Sequence, residues 1–129
     1  MTKLVSQAAW MLVIAFALSL LYEFWRATVK QGTSRHDSMQ SFVKNNVAFY
    51  AIAATVIGLL FAGFSWATWV ALAFSVGAIA ASILYYNPRV MVERSPGLID
   101  WFEDLVFTGL LFVAAALLMY SSLDITLQP

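Results

Sequence analysis

Four apolar runs set the rhythm of this chain: Val5 to Trp25, Val47 to Phe64, Thr68 to Tyr86 and Leu105 to Tyr120. Each is close to the roughly 17–25 residues that an α-helix needs to cross hydrocarbon. None alternates with the period of a strand. Backbone groups in lipid must pair within their own segment, which leaves helices as the open choice. The pattern predicts an all-α, four-helix transmembrane bundle forming one domain over residues 1–129, with helices near 5–25, 39–64, 68–86 and 96–121. The first run continues well past Ala15-Phe16-Ala17, so it reads as a spanning helix rather than a cleaved signal segment.

The connections differ from one another. The first, Arg26 to Asn46, is polar and long, and its second part looks helical. Asp37 followed by Gln40 resembles a capping box, and Met39, Phe42, Val43 and Val47 share one face. The second connection, Ser65 to Ala67, is so short that helices 2 and 3 must form a tight antiparallel hairpin. The third, Asn87 to Gly97, places Pro88 where it is expected to stop helix 3. Ser95 stands as N-cap and Pro96 as first residue of helix 4. Trp10, Trp25, Trp66, Trp69 and Trp101 fall near predicted helix ends, as an interfacial aromatic belt requires.

Composition changes the picture in one direction. Hydrophobic residues are 62% of the chain and charged residues 11%, well under the roughly 25% of a soluble domain. Lipid is therefore an expected partner. The net charge of zero gives no reason to expect a nucleic-acid partner. With no cysteine, disulfides and thiolate chemistry are excluded. A single histidine, His36, is too few for a bis-histidine haem, and no lysine lies within an apolar run to form a retinal Schiff base. No phosphate-binding loop and no acyl-transfer triad can be assembled. No cofactor is expected, and the chain leans away from being an enzyme in its own right.

Several constellations remain as candidates. Ala54, Gly58 and Ala62 on helix 2, and Ala73, Gly77 and Ala81 on helix 3, form small-residue faces expected to pack the hairpin or to meet another subunit. Asp100, Glu103 and Asp104 open helix 4. They are acids suited to its positive end, or with His36 a candidate metal site. Glu23 is a candidate transport residue; pairing with Arg26 three positions on is the simpler expectation. Arg26, Lys30, Arg35, Lys44, Arg89 and Arg94 gather in connections 1 and 3 and form a candidate cytoplasmic docking surface. At an offset of 63 residues, Ser19, Leu21, Tyr22, Arg26 and Val29 coincide with Ser82, Leu84, Tyr85, Arg89 and Val92. That match reads as chance between apolar helix ends, since helices 2 and 4 do not follow it.

These features lead to a ranking. The first expectation is a non-catalytic accessory subunit of a larger membrane complex, partnered by other membrane subunits or by itself. The second is a small homo-oligomeric channel or proton-coupled transporter, and the third a metal-dependent membrane enzyme subunit. The basic residues place connections 1 and 3 in the cytoplasm, with Lys3 alone on the other side, and so put both termini outside a prokaryotic-type inner membrane. A C-terminal fusion to a reporter active only outside the cytoplasm is expected to be active. A C-terminus reported as cytoplasmic would overturn this orientation.

Overall fold

In a computed structural model, which describes residues 3–34, 36–94 and 96–127, four helices are long and apolar enough to cross a bilayer. They are α1 (Lys3–Thr28), α2 (Met39–Ala62), α3 (Ala67–Arg94) and α4 (Leu98–Leu127). No strand occurs among the described residues. In the bundle α1 packs on α2 and α4, and α3 packs on α2 and α4.

The interior is written in the spacing of buried positions. On α1 these include Val5, Ala8, Leu12, Ala15, Ser19, Tyr22 and Arg26; on α4, Asp100, Asp104, Phe107, Leu111, Ala114, Leu118 and Ser121. Steps of three and four residues keep each set on one face, and the two faces form the most extensive helix pair of the molecule. Lipid tails compete with apolar side chains on equal terms, so membrane helices associate through close packing. Alanines at 8, 15 and 114 let α1 and α4 approach while Leu12, Leu111 and Leu118 fill the space between. One residue from each helix then meets at mid-bundle. The Phe16 ring lies 5.5 Å from Phe49, 5.6 Å from Phe74 and 5.3 Å from Phe107, centroid to centroid. Large apolar side chains such as Ile14, Leu21, Leu84 and Leu105 point outward, as a lipid-solvated surface requires.

Local structure departs from the sequence reading at four places. The N-cap of α2 is Ser38, whose Oγ accepts from the Ser41 N–H at 3.0 Å; Asp37 is committed elsewhere. Pro88 does not end α3. The helix continues through it as a π-helical stretch, Ser82–Met91, before closing in a short 3-10 turn, Val92–Arg94. Proline lacks an N–H, and its ring clashes with the carbonyl four residues back. A wider turn bonding five residues back, as Val92 N–H does to Asn87 C=O, relieves that clash. A second π-helical stretch, Phe42–Asn46, lies in α2. Finally, α4 begins at Leu98, with the Asp100 Oδ2 accepting from the Gly97 N–H at 2.8 Å in the manner of a capping box. Ser95, expected as the cap, lies outside the described residues.

The small-residue faces also turn out differently. Ala54, Gly58 and Ala62, and Ala73, Gly77 and Ala81, are exposed, and nothing lies within 4 Å of a Cβ built on Gly58 or Gly77. The hairpin is packed instead by the neighbouring rows Ala53, Val56, Leu60 and Ala67, Ala71, Ala78. A difference of one position rotates a residue about 100° around a helix, enough to exchange inside for outside. Residues matched by the 63-residue offset hold unlike places: Tyr22 is 6% exposed and Tyr85 60%, and Arg26 is buried while Arg89 is exposed.

The hairpin turn depends on Gly63. It adopts φ 87°, in the left-handed region, and its N–H bonds to the Leu60 carbonyl at 3.1 Å. Any Cβ there is strained, whatever the free space around it. Gly63→Ala is expected to lower unfolding stability in mixed micelles by about 1–2 kcal/mol. Gly58→Ala, in right-handed helix with open space, is expected to leave it unchanged or slightly raised.

Candidate functional site

The buried stripe on α1 and α4 changes chemistry partway along. Its apolar members give way to Ser19, Tyr22, Glu23 and Arg26 on α1 and to Asp100, Glu103 and Asp104 on α4. The connection between α1 and α2 (loop 1; that between α3 and α4 is loop 3) and the end of α3 add Asp37 and Arg94, also buried. Five of these groups form a chain of alternating charge. Arg26 holds Asp37 through two bonds, Nε to Oδ1 at 2.9 Å and Nη2 to Oδ2 at 2.5 Å, and its Nη1 reaches Asp100 Oδ1 at 3.3 Å. Arg94 holds Glu23 through two bonds, Nη1 to Oε1 at 3.1 Å and Nη2 to Oε2 at 2.8 Å. Arg94 Nε also lies 3.1 Å from Asp37 Oδ1, an ion-pair contact off the hydrogen-bond line. Tyrosines close the ends: Tyr22 OH donates to Asp100, and Tyr86 OH donates to Glu23 at 2.7 Å. Paired guanidinium–carboxylate bonds of this kind fix direction as well as distance.

Above the four phenylalanines and beside this chain lies a cavity of about 430 Å³. The two π-helical stretches contribute Asn45, Asn46, Ser82, Tyr85, Tyr86 and Val90 to its wall, and Phe49 and Phe107 belong to its base. Ser19 and Tyr50 share a hydrogen bond of 2.8 Å across it. Exposed Asn45 and Tyr85 mark its open side. Glu103 is 7% exposed, lines this cavity, and has no hydrogen bond or ion pair among the described residues. Its neighbour Asp104 lies near the polar side chains of Asn87 and Ser82, with no cation partner among the described residues.

The structure sorts the candidates read from the sequence. Glu23 pairs with Arg94 rather than with Arg26. Arg26 and Arg94 are interior residues bound to carboxylates, so neither belongs to an exposed docking surface; Lys30, Lys44 and Arg89 are exposed, and Arg35 lies outside the described residues. The Lys30 ammonium sits 5.5 Å from the Trp25 ring. Asp100 is spent on Tyr22, Arg26 and the start of α4. His36 Nε2 contacts Glu93 Oε2 at 2.5 Å. His36, Glu103 and Asp104 border the same cavity, but among the described residues no three His, Cys, Asp or Glu side chains are grouped to hold a metal ion. Tyr22, Asp37, Tyr50, Tyr86 and Asn46 belong to the site although the sequence reading assigned none of them a functional role. For Tyr22 a signal existed: it continues the three-and-four spacing of the α1 interior.

Fold and composition together give an all-helical bundle, among the described residues, whose four long helices are apolar enough to cross a membrane, with a polar interior at one end. No protein-family profile matches the chain, nor does any curated protein or solved structure.

The charge chain generates a stability prediction. Asp37 is fully buried between two arginines. Removing one partner of a buried ion pair costs about 3–5 kcal/mol, because a charge is left uncompensated. Asp37→Ala is expected to lower stability in a micellar unfolding titration by about that amount. Lys44→Ala, at an exposed position, should stay within about 0.5 kcal/mol.

Proposed function

We propose that this protein is a small proton-coupled transporter, with Glu103 as the group that carries a proton or a small cation. One observation carries the reading: a carboxyl buried inside a helical bundle, facing a cavity, with no partner among the described residues. Ionisable groups at such depth are costly, and where they persist they characteristically mark ion paths and proton relays. Glu23, the residue first favoured for this role, is held on both oxygens and is better read as a fixed wall. The aromatic group of Phe16, Phe49, Phe74 and Phe107 lies across the bundle below the cavity and supports a state open towards loops 1 and 3 and closed towards the termini. On the distribution of basic residues, loops 1 and 3 face the cytoplasm of a prokaryotic-type cell and both termini lie outside.

A second reading retains the accessory-subunit function, within a homo-oligomer or a larger complex. It is favoured by the outward faces Ala54–Gly58–Ala62 and Ala73–Gly77–Ala81, which offer close approach to another helix.

The transport reading is tested in proteoliposomes carrying an internal pH dye. An imposed pH step should produce protein-dependent proton flux, and Glu103→Gln should reduce it to the level of protein-free vesicles while Lys44→Ala leaves it intact. Flux that survives Glu103→Gln removes Glu103 from the path. If the wild-type protein gives no flux and copurifies in mild detergent with defined membrane subunits, the accessory reading replaces it.

A further inference from the structure

We infer that the cavity binds an organic ammonium ion, with its N–H donors on Glu103 and an apolar or aromatic body against Phe49 and Phe107. The inference deepens the transport reading and rests on its assignment of Glu103 as the cation-carrying group.

Charge sets the sign of the ligand. The acids facing the cavity are Glu23, Glu103 and Asp104; of the described basic residues that line it, Arg94 is already bound to Glu23 and His36 contacts Glu93. An anion would meet uncompensated carboxylates. With Glu103 ionised, an ammonium ion matches its charge, which a neutral molecule would leave uncompensated in a buried site. Hydrogen bonding then narrows the chemistry. Glu103 accepts from no described residue, so a ligand that satisfies it must bring donors. A primary ammonium carries three, and a quaternary ammonium none.

The wall sets the rest of the ligand. A bare inorganic cation needs a cage of several converging oxygens, and no such grouping of three acidic or histidine side chains occurs among the described residues. The cavity volume of about 430 Å³ lies within the range of small-molecule sites, about 300–1,000 Å³. Glu103 and Phe107 are four residues apart on the same buried face of α4. That spacing sets the charge and the aromatic surface about one turn apart, ~6 Å along the axis. A primary amine joined to a ring by a two-carbon linker spans this interval. Tyr50 offers a further ring to a cationic group.

The experiment uses the whole protein in nanodiscs and phenethylammonium as probe, with calorimetric titration corrected by empty nanodiscs. Saturable binding is expected, weakened at least about tenfold in Glu103→Gln. The neutral isostere 2-phenylethanol should show no saturable component, and the N,N,N-trimethyl analogue should bind more weakly than the primary amine. A second measurement needs no variant: carbodiimide labelling of Glu103 in the wild-type protein, read by peptide mass spectrometry, should be suppressed by phenethylammonium and not by 2-phenylethanol. Absence of saturable binding, equal binding of the alcohol, or labelling unaffected by the amine overturns the inference. The outcome for transport is separable. Proton flux that depends on Glu103, without amine binding, removes the ammonium ligand and leaves the proton path. Amine binding without flux in the liposome assay keeps the ligand class and removes transport.

Discussion

The alternation Asp100–Arg26–Asp37–Arg94–Glu23 is the constraint on which the charged end of this bundle depends. Its members come from α1, loop 1, the end of α3 and the start of α4. A polar loop such as loop 1 has little apolar surface with which to anchor itself. Asp37 supplies the anchor instead, because two guanidiniums close on it while its own backbone is held by Gly32 and Ser34. The desolvation cost of burying such groups is several kcal/mol per ion, so the chain holds together only as a set. Each carboxylate in it is matched by a guanidinium, and two are further held by tyrosine hydroxyls. The tyrosines also give Arg94 ring faces on two sides, at 6.0 Å for Tyr22 and 5.8 Å for Tyr86. The result is a buried polar wall at one end of the bundle.

That wall explains why the acids of α4 have different fates. With every group ionised, two arginines against Glu23, Asp37 and Asp100 leave one negative charge. Adding Glu103 and Asp104 makes three. The arginines are geometrically consumed before they reach the last two acids. Asp104 has the polar side chains of Asn87 and Ser82 near it, and Glu103 has no hydrogen-bond or ion-pair partner among the described residues. The same face of one helix thus carries a structural acid at Asp100 and, one turn later, an acid with no partner among the described residues. The acidic character of that turn does not distinguish them; the geometry of the arginines does.

The architecture was legible in the sequence, and the site was legible only in part. Length and hydropathy sufficed for four helices because lipid imposes the same requirement on every crossing. The hairpin turn was evident from its shortness. Helix ends were harder, since Pro88 was read through a rule about α-helices and the chain answers it with a different helix. The small-residue faces show another limit. Ala54, Gly58 and Ala62 look as suited to packing as Ala53, Val56 and Leu60, and in an apolar helix the usual contrast between a wet and a dry face is missing. The ion chain lay beyond local reasoning: Glu23 and Arg94 are separated by 71 positions, and Arg26 and Asp100 by 74. Nearest-neighbour pairing favoured Arg26 for Glu23, and the fold chose otherwise. What the sequence did carry was the periodicity of α1, where Ser19, Tyr22 and Arg26 continue the register of Val5, Ala8, Leu12 and Ala15 and so mark a charged residue as interior.

The two π-helical stretches connect the ion chain to the cavity. Phe42–Asn46 and Ser82–Met91 lie on the two arms of the hairpin, beyond the segments that pack α2 against α3. A π-helical turn is wider than an α-helical one and offers fewer close backbone contacts, and such turns concentrate at functional sites. Here they supply cavity-facing Asn45, Asn46, Ser82, Tyr85 and Tyr86 from both sides. Pro88 fixes one of them, because the ring excludes a regular α-turn at that point. Arg94, a few residues further along the same helix, is pinned by Glu23 and Asp37. The end of α3 is therefore held by a charged clasp on one side of Pro88 and by the packed alanine row of the hairpin on the other. The irregular stretch between these two fixed points borders the cavity, with Glu103 facing it from α4. The regular part of the bundle provides the floor, the ion chain the wall, and the irregular part the opening.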